Sequence, residues 1–332
     1  MMRENRHASF SAFGAPEEVL CVCTGEMLPP APGEICVRML AAPINPADIN
    51  YVQGVYGEVP QLPTHRVGLE GCGVVHASAA AGYEPGDMVI LLDTVGAWSR
   101  FLTAPATAFL RLEEHIDPMQ AAMLKVNPLT ALRVLEDYAP LQAGDWLVLN
   151  AANSGVGQCL IQLARTRGLH TICVVRHAAA RRAALQALGA DIVVDEDEPD
   201  MVRQVLSTPG VKRPLLASNC VGGESALRLM DMLAPGGTLV TFGSMSRKSI
   251  KVPNSWLIFK NISLRGLWCT RWLQQMPPAT VAAAYHFLAR LVAEGKLQQS
   301  IAAVHGLDNL QEACRQAQQE GRSGKILLRL GE

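Results

Sequence analysis

A stretch of small residues between a predicted strand and a predicted helix carries the clearest chemical signal in this sequence. The apolar run of residues 145–150 leads into residues 151–158, and a helical pattern follows. Small residues in such a turn let the backbone approach a pyrophosphate, and the helix N-terminus supplies free N–H groups. Against the G-x-G-x-x-G template, Ala152 and Ser154 replace the first two glycines, and Gly157 matches the third. The turn therefore predicts a dinucleotide site, with a purely structural tight turn as the alternative.

The residue that ends the second strand of such a unit selects between NAD and NADP. An acidic residue there binds the ribose 2′-hydroxyl, but this strand, residues 170–176, ends in Arg176, 19 residues after Gly157. A guanidinium offers a planar set of charged donors to a 2′-phosphate. Arg181 and Arg182 lie one helical turn further on, where they could assist. We therefore predict NADPH, against the alternative of a solvated arginine at a strand end.

The ligand pattern of zinc-dependent two-domain dehydrogenases is missing. Residues 42–50 contain no cysteine, residues 68–71 contain no histidine, and the nine cysteines form no Cys-x-x-Cys pair. Cys21 and Cys23 have strand spacing that puts both thiols on one face, but no second pair completes a site, and we interpret all nine as reduced thiols. We predict no metal, so the hydride would go to an acceptor activated by its own structure, such as an enone, an enoyl thioester or a quinone.

The elements that must position these residues fall into two groups. The N-terminal third reads as short strands separated by Pro and Gly turn signals, typical of a β-rich, barrel-like domain. From about residue 117 strands alternate with helices, which indicates right-handed βαβ units and a parallel sheet. The predicted strands are residues 20–23, 34–40, 71–76, 88–92, 145–150, 170–176, 191–195, 215–221, 238–243, 262–268 and 325–330. The predicted helices are residues 155–167, 178–188, 201–206, 224–233, 279–294 and 309–319.

Composition excludes several classes of function. The 332 residues are 49% hydrophobic with a net charge of −1, which indicates a globular protein and favours neither nucleic acid nor an anionic membrane as a partner. No apolar run approaches the ~18 residues that span a bilayer. No apolar signal segment and no Arg-rich leader precedes the first strand-like segment. We expect a cytoplasmic protein.

Several segments together resemble the mitochondrial-type 2-enoyl thioester reductases, zinc-free medium-chain dehydrogenases/reductases related to quinone oxidoreductases. These segments are residues 44–50 with 54–57, 126–131, 150–158 with Arg176, 219–223, 258–261 and 264–268. The resemblance implies an α/β protein in which a GroES-like β-barrel catalytic domain (residues 1–118 with 266–332) joins a Rossmann doubly wound cofactor domain (residues 119–265). It also implies an active site in the cleft between the domains and a homodimer formed through the cofactor domains.

The resemblance also implies roles for individual residues. Tyr56, flanked by Gly54 and Gly57, falls where the family has its catalytic tyrosine. The residues that would contact NADPH are Asn127, Asn153, Ser154, Gly155, Val156, Gly157, Arg176, Phe242, Gly243, Ser244, Met245, Leu267, Trp268, Cys269 and Lys325. Weaker candidates for substrate contact are Asn45, Trp268 and Trp272. The two tryptophans are either apolar walls for an acyl chain or ordinary core and surface aromatics.

The expected reaction is hydride transfer from NADPH to the β-carbon of a 2-enoyl thioester carried by coenzyme A or acyl carrier protein. Negative charge then develops on the thioester oxygen, which needs a hydrogen-bond donor. A phenol titrates near ~10, so a protonated Tyr56 could donate a proton to the α-carbon or polarise the carbonyl. A quinone or alkenal reductase remains an alternative, as does an NADPH-binding protein without turnover.

Three features of the sequence qualify this interpretation. Asp48 could cap a helix as readily as act in catalysis. His65 and Arg66 stand in a segment that is about one residue longer than in the family, and we expect His65 to be exposed. The family's second basic residue beyond Arg176 is missing, because His177 and Ala178 stand there.

Overall fold

The computed structural model describes residues 4–93 and 95–331, which divide into two compact units. The first comprises Met1–Val126 with Gln275–Glu332, and the second comprises Asn127–Gln274. The boundaries at residues 126/127 and 274/275 lie eight and nine residues after the predicted boundaries at 118/119 and 265/266. At the first boundary the reason is packing, because the helix that begins at Pro118 contacts strands of the first unit.

The first unit opens with short strands and helices that begin at prolines. Proline suits the first helical position because its missing N–H is not needed there. The strands are β1 (Glu4–Ser9), β2 (Cys21–Glu26), β3 (Glu34–Pro43), β4 (Cys72–Ser78), β5 (Met88–Leu91), β6 (Phe101–Pro105) and β7 (Phe109–Arg111). The helices are α1 (Pro16–Val19), α2 (Pro46–Val52) and α3 (Pro118–Ala121).

The second unit alternates helices with parallel strands, as predicted. Its helices are α4 (Asn127–Asp137), α5 (Gly155–Thr166), α6 (Ala178–Leu188), α7 (Met201–Leu206), α8 (Gly223–Met232), α9 (Asn254–Phe259) and α10 (Cys269–Gln275). Its strands are β8 (Trp146–Asn150), β9 (His170–Val175), β10 (Ile192–Asp195), β11 (Leu216–Asn219), β12 (Thr238–Thr241) and β13 (Ser263–Gly266). They pair in the order β10-β9-β8-β11-β12-β13, the arrangement of a doubly wound sheet.

The chain then returns to the first unit. The elements of this tail are α11 (Pro278–Ala293), β14 (Ile301–Gly306), α12 (Leu310–Gln318) and β15 (Lys325–Arg329). β15 pairs antiparallel with β3 and parallel with β14, which gives the order β14-β15-β3-β4-β5-β7, with β6 also on β3. The C-terminal strand therefore completes the sheet of the first unit.

Each unit has its own apolar core, which holds its site-bearing loops in place. Phe10 and Trp98 are buried in the first core, and Val148 and Leu229 belong to the second. Among the described residues, none of the helices combines the length and the apolar character that a membrane span requires.

Candidate active site

In the first unit, Tyr56 lies in the loop that follows α2. Its side chain is partly buried and packs against the core of this unit. Gly54 has φ +72°, and a Cβ there would lie 2.8 Å from the ring of Phe13. The positive φ and this close contact require glycine, so Phe13 and Gly54 together define the path of the loop that carries the tyrosine. The neighbouring Val55 and Val59 are exposed.

Asn45 and Asp48 belong to a buried polar network at the start of α2. The Asp48 carboxylate accepts the backbone N–H groups of Asn45 and Leu69, each at 2.8 Å. The Asn45 amide donates to Glu70 Oε1 at 2.6 Å and accepts from Lys325 Nζ. Burial raises the pKa of Asp48 to about 7 and also raises the pKa of Glu70, against the opposing charge of Lys325. These contacts give Asp48 the capping role that the sequence left open.

In the second unit, the turn between β8 and α5 is shaped by close backbone packing. Ser154 is the N-cap of α5, and its Oγ accepts the N–H of Gly157 at 3.1 Å. A Cβ on Gly157 would lie 2.5 Å from the carbonyl oxygen of Ala152, so the turn accepts only glycine there. The turn therefore brings the positive end of the α5 dipole to the carboxyl edge of the sheet.

Asn127, the first residue of α4, packs directly on this turn. Its side chain is buried, and a Cβ on Gly155 would lie 2.5 Å from Asn127 Nδ2. The carbonyl oxygen of Asn153 accepts from Gln158 Nε2 at 3.0 Å, and Val156 is buried. The structure therefore brings Asn127 together with the predicted residues of the turn, although they are far apart in sequence.

Buried amides join the carboxyl ends of the strands beside the turn. β8 lies between β9 and β11, where the strand order reverses. Asn150 Nδ2 donates to Asn219 Oδ1 at 2.8 Å, and Asn219 Nδ2 donates to Thr241 Oγ1 at 3.0 Å. Asn219 Oδ1 also accepts the N–H of Gly222 at 3.0 Å. The sequence suggested no role for these side chains, although a polar residue at the end of each buried strand was the available signal.

Arg176 directly follows β9, and its side chain is exposed. Arg181 Nε donates to the Arg176 carbonyl oxygen at 3.1 Å, which turns the guanidinium of Arg181 toward the same strand end. Asp195, at the end of β10, accepts the N–H of Ala178 at 2.8 Å, and this bond lowers its pKa. The Asp195 carboxylate therefore satisfies a backbone N–H group in the first turn of α6. Because β8 and β9 are adjacent and parallel, Arg176 shares an edge with the β8–α5 turn.

The segments after β12 and β13 extend this edge. Phe242 N donates to the Asn219 carbonyl oxygen at 3.1 Å, and Met245 N donates to that of Cys220 at 2.9 Å. A Cβ on Gly243 would lie 3.2 Å from Cys220 Cβ. The predicted residues placed at this edge of the second unit are Phe242, Gly243, Ser244, Met245, Leu267, Trp268 and Cys269.

The candidate substrate residues and the predicted residues of the first unit complete the set. Trp272 is buried, 9% exposed, with the Arg133 guanidinium 4.8 Å from its ring centre, so its contacts favour the core role over a substrate wall. Trp268 is partly exposed. Tyr56, Asn45 and Lys325 belong to the first unit. Across residues 4–93 and 95–331, no group of three or more His, Cys, Asp or Glu side chains converges as a metal site would require.

Family models match both units of the chain. The alcohol dehydrogenase GroES-like domain matches residues 31–114, and the zinc-binding dehydrogenase model matches residues 155–289. The chain is 38% identical to the mitochondrial enoyl-[acyl-carrier-protein] reductase of Xenopus tropicalis over 334 residues, which cover 96% of this chain and 93% of that protein.

Solved structures show the same fold. The mitochondrial 2-enoyl thioester reductase Etr1p/Etr2p heterodimer from Candida tropicalis and the Etr1p/NADP/crotonyl-CoA complex each give a TM-score of 0.90 at 28% identity, covering 99% of this chain and 100% of theirs. A quinone oxidoreductase from Pseudomonas syringae gives a TM-score of 0.86 at 26% identity, covering 98% of this chain and 99% of that one.

The expected cytoplasmic location is wrong. The similar reductases from Arabidopsis thaliana, Xenopus tropicalis and Homo sapiens are all named as mitochondrial. The expectation rested on the N-terminal sequence alone, and targeting sequences are separate from the folded domains that these proteins share.

Proposed function

The chain belongs to the medium-chain dehydrogenase/reductase family, among enzymes of the mitochondrial enoyl-[acyl-carrier-protein] reductase type, and on that premise we propose that it reduces the C2=C3 bond of trans-2-enoyl thioesters with NADPH. It is an oxidoreductase acting on a CH–CH bond. The observation that carries the proposal is similarity along the whole length, since 96% of this chain and 93% of the Xenopus enzyme align. The acyl carrier is coenzyme A or acyl carrier protein.

NADPH binds at the carboxyl edge of the parallel sheet in the second unit. A Cβ on Gly157 would lie 2.5 Å from the carbonyl oxygen of Ala152, so the turn requires glycine there. This tight turn supports a site in which a pyrophosphate meets the N-terminus of α5. Arg176 binds the 2′-phosphate, and Asn127 with residues 153–157, 242–245 and 267–269 completes the cofactor site. A contact between Lys325 and NADPH also remains a prediction.

Tyr56 is the proton donor or the carbonyl polariser of this reaction. Bound NADPH supplies the hydride that adds to the β-carbon. The Tyr56 phenol hydrogen-bonds the thioester oxygen, or protonates the α-carbon, as negative charge develops. Its partly buried ring and the contact between Phe13 and Gly54 support this role, because both restrict the positions that the hydroxyl can take.

The test is NADPH consumption by the purified protein with trans-2-hexenoyl-CoA. We expect Tyr56→Phe to lower kcat by at least about 100-fold, the usual contribution of a general acid, with NADPH affinity unchanged. Tyr51→Phe is the matched control, because Tyr51 is buried in α2 and edge-on to Phe10, with ring centroids 6.2 Å apart. It should keep activity near that of the wild type.

A quinone or alkenal reductase is the second candidate, favoured by the likeness to the Pseudomonas enzyme. Small quinones and free enones are therefore assayed in parallel. Turnover of quinones without turnover of the enoyl thioester would replace the proposed function with this one. Tight NADPH binding without consumption for any acceptor would instead indicate a binding protein.

We further propose that two copies associate through the second unit. β13 is the last strand in the sheet order, so its outer edge offers backbone N–H and C=O groups for pairing. The helix α9, which precedes β13 in the chain, exposes Leu257, Ile258 and Phe259, the last with 82% of its surface accessible. An open strand edge and exposed apolar side chains in the same unit favour association with a second copy.

A further inference from the structure

β1 and β2 form a two-stranded antiparallel ribbon whose surface carries a pair of thiols. Cys21 lies opposite Ser9, and Cys23 lies opposite His7. Alternate residues of a strand share one face, so both thiols point to the same side. Their Sγ atoms are 3.6 Å apart, with Cys21 exposed and Cys23 partly exposed. From this geometry we propose that the ribbon binds a soft monovalent d¹⁰ cation of the Cu(I) class.

The strand geometry favours a bridging ion over a disulfide. Cα atoms two residues apart in a strand are about 6.6 Å apart, near the upper limit for a disulfide. The ladder with β1 holds Cys21 and Cys23 in that extended conformation. Two metal–sulfur bonds of about 2.3 Å span up to about 4.6 Å between sulfurs, so an ion fits between the thiols without backbone movement.

Two thiols with few further ligands select a soft ion of low coordination number. Zinc prefers four protein ligands, and the described residues offer no ready group of three. Thiolate ligands favour Cu(I). His7 lies opposite Cys23, but its ring packs over Gly25, where a Cβ would lie 3.3 Å from His7 Cε1, and its Nδ1 lies 3.4 Å from the carbonyl oxygen of Asn5. The two thiols are therefore the ligands of the proposed site.

Binding conserves charge and leaves the oxidation state of the metal unchanged. Each thiol loses its proton to solvent and forms one metal–sulfur bond, so two protons leave for each ion bound.

The experiment titrates Cu(I) alone into the reduced full-length protein under anaerobic conditions, in competition with a colorimetric Cu(I) chelator. We expect one equivalent to bind the wild type, and Cys21→Ser or Cys23→Ser to weaken binding at least tenfold. The matched control is the double variant Cys23→Ser with Thr24→Cys. It keeps the number of thiols but moves one to the opposite face of β2.

X-ray absorption at the copper edge counts the ligands, and we expect at least two sulfurs. Circular dichroism and thermal melting show that each variant is folded. Equal Cu(I) affinity in the wild type and the relocated-thiol variant would overturn the proposal, and so would a wild type that does not compete with the chelator. Neither result depends on the NADPH or thioester chemistry.

Discussion

Arg176 is the residue on which the proposed choice of NADPH over NADH depends. Removing a hydrogen bond to a charged group costs about 1.5–3 kcal/mol, which corresponds to roughly a 10- to 100-fold change in affinity. We therefore expect Arg176→Ala to raise the Kd for NADPH by that factor and to leave NADH nearly unchanged, as measured by cofactor fluorescence. Arg203→Ala, which removes an exposed arginine of α7, is the control. An equal loss for both cofactors would contradict the role of Arg176.

Asp48 gives a prediction about pH and stability. Burial raises the pKa of this carboxyl from 3.8 to about 7. At a pH between these two pKa values, the folded chain therefore retains a proton that the unfolded chain has lost. Raising the pH through this window therefore lowers the free energy of unfolding. We expect the wild type to lose stability relative to Asp48→Asn between about pH 4 and pH 7, as measured by urea unfolding. A difference between the two proteins that does not vary with pH would show that Asp48 does not titrate in this range.

At the scale of an element, the junction of β8 and α5 depends on one missing methyl group. A Cβ on Gly157 would lie 2.5 Å from backbone, which cannot move aside as a flexible side chain can. Overpacking costs about 1–3 kcal/mol, so we expect Gly157→Ala to lower stability and to weaken NADPH binding roughly tenfold.

Gly306→Ala is the control for that variant. Nothing lies within 4 Å of its Cβ position, and its φ is −74°, so alanine fits without strain. Thermal melting and cofactor titration are measured on both variants. If Gly157→Ala and Gly306→Ala show the same melting temperature and the same NADPH affinity, packing at Gly157 does not shape the cofactor site.

The elements that the sequence predicted share strong local patterns. The predicted bounds of α6 (Ala178–Leu188) and α7 (Met201–Leu206) match the structure, because helical periodicity is a local property of the sequence. β1 (Glu4–Ser9) was missed, since its polar sequence has little strand character without β2 as a partner. The helix α4 was missed because most of its residues are buried, which removes the alternation of apolar and polar faces.

At the scale of the whole molecule, the proposed homodimer gives a prediction about assembly. We expect Phe259→Glu to convert the dimer to a monomer, because it places a charge on the most exposed apolar side chain of α9. Light scattering across a concentration series measures the mass. Leu28→Glu is the control, since Leu28 is 63% exposed but belongs to the first unit. A wild type that is monomeric throughout, or a Phe259→Glu protein that stays dimeric, would contradict this interface.

The sequence by itself determined the α/β class, the βαβ order, the turn of small residues between β8 and α5 and the arginine that follows β9, because these features depend on residues close together in the chain. Only the tertiary structure decided that Asn127 packs on Gly155, that Asn150 bonds Asn219, and that Trp272 lies buried beneath Arg133. Each of these contacts joins segments far apart in sequence. Side-chain type alone does not specify them, because they depend on which strands become neighbours and on which glycine leaves room for another side chain.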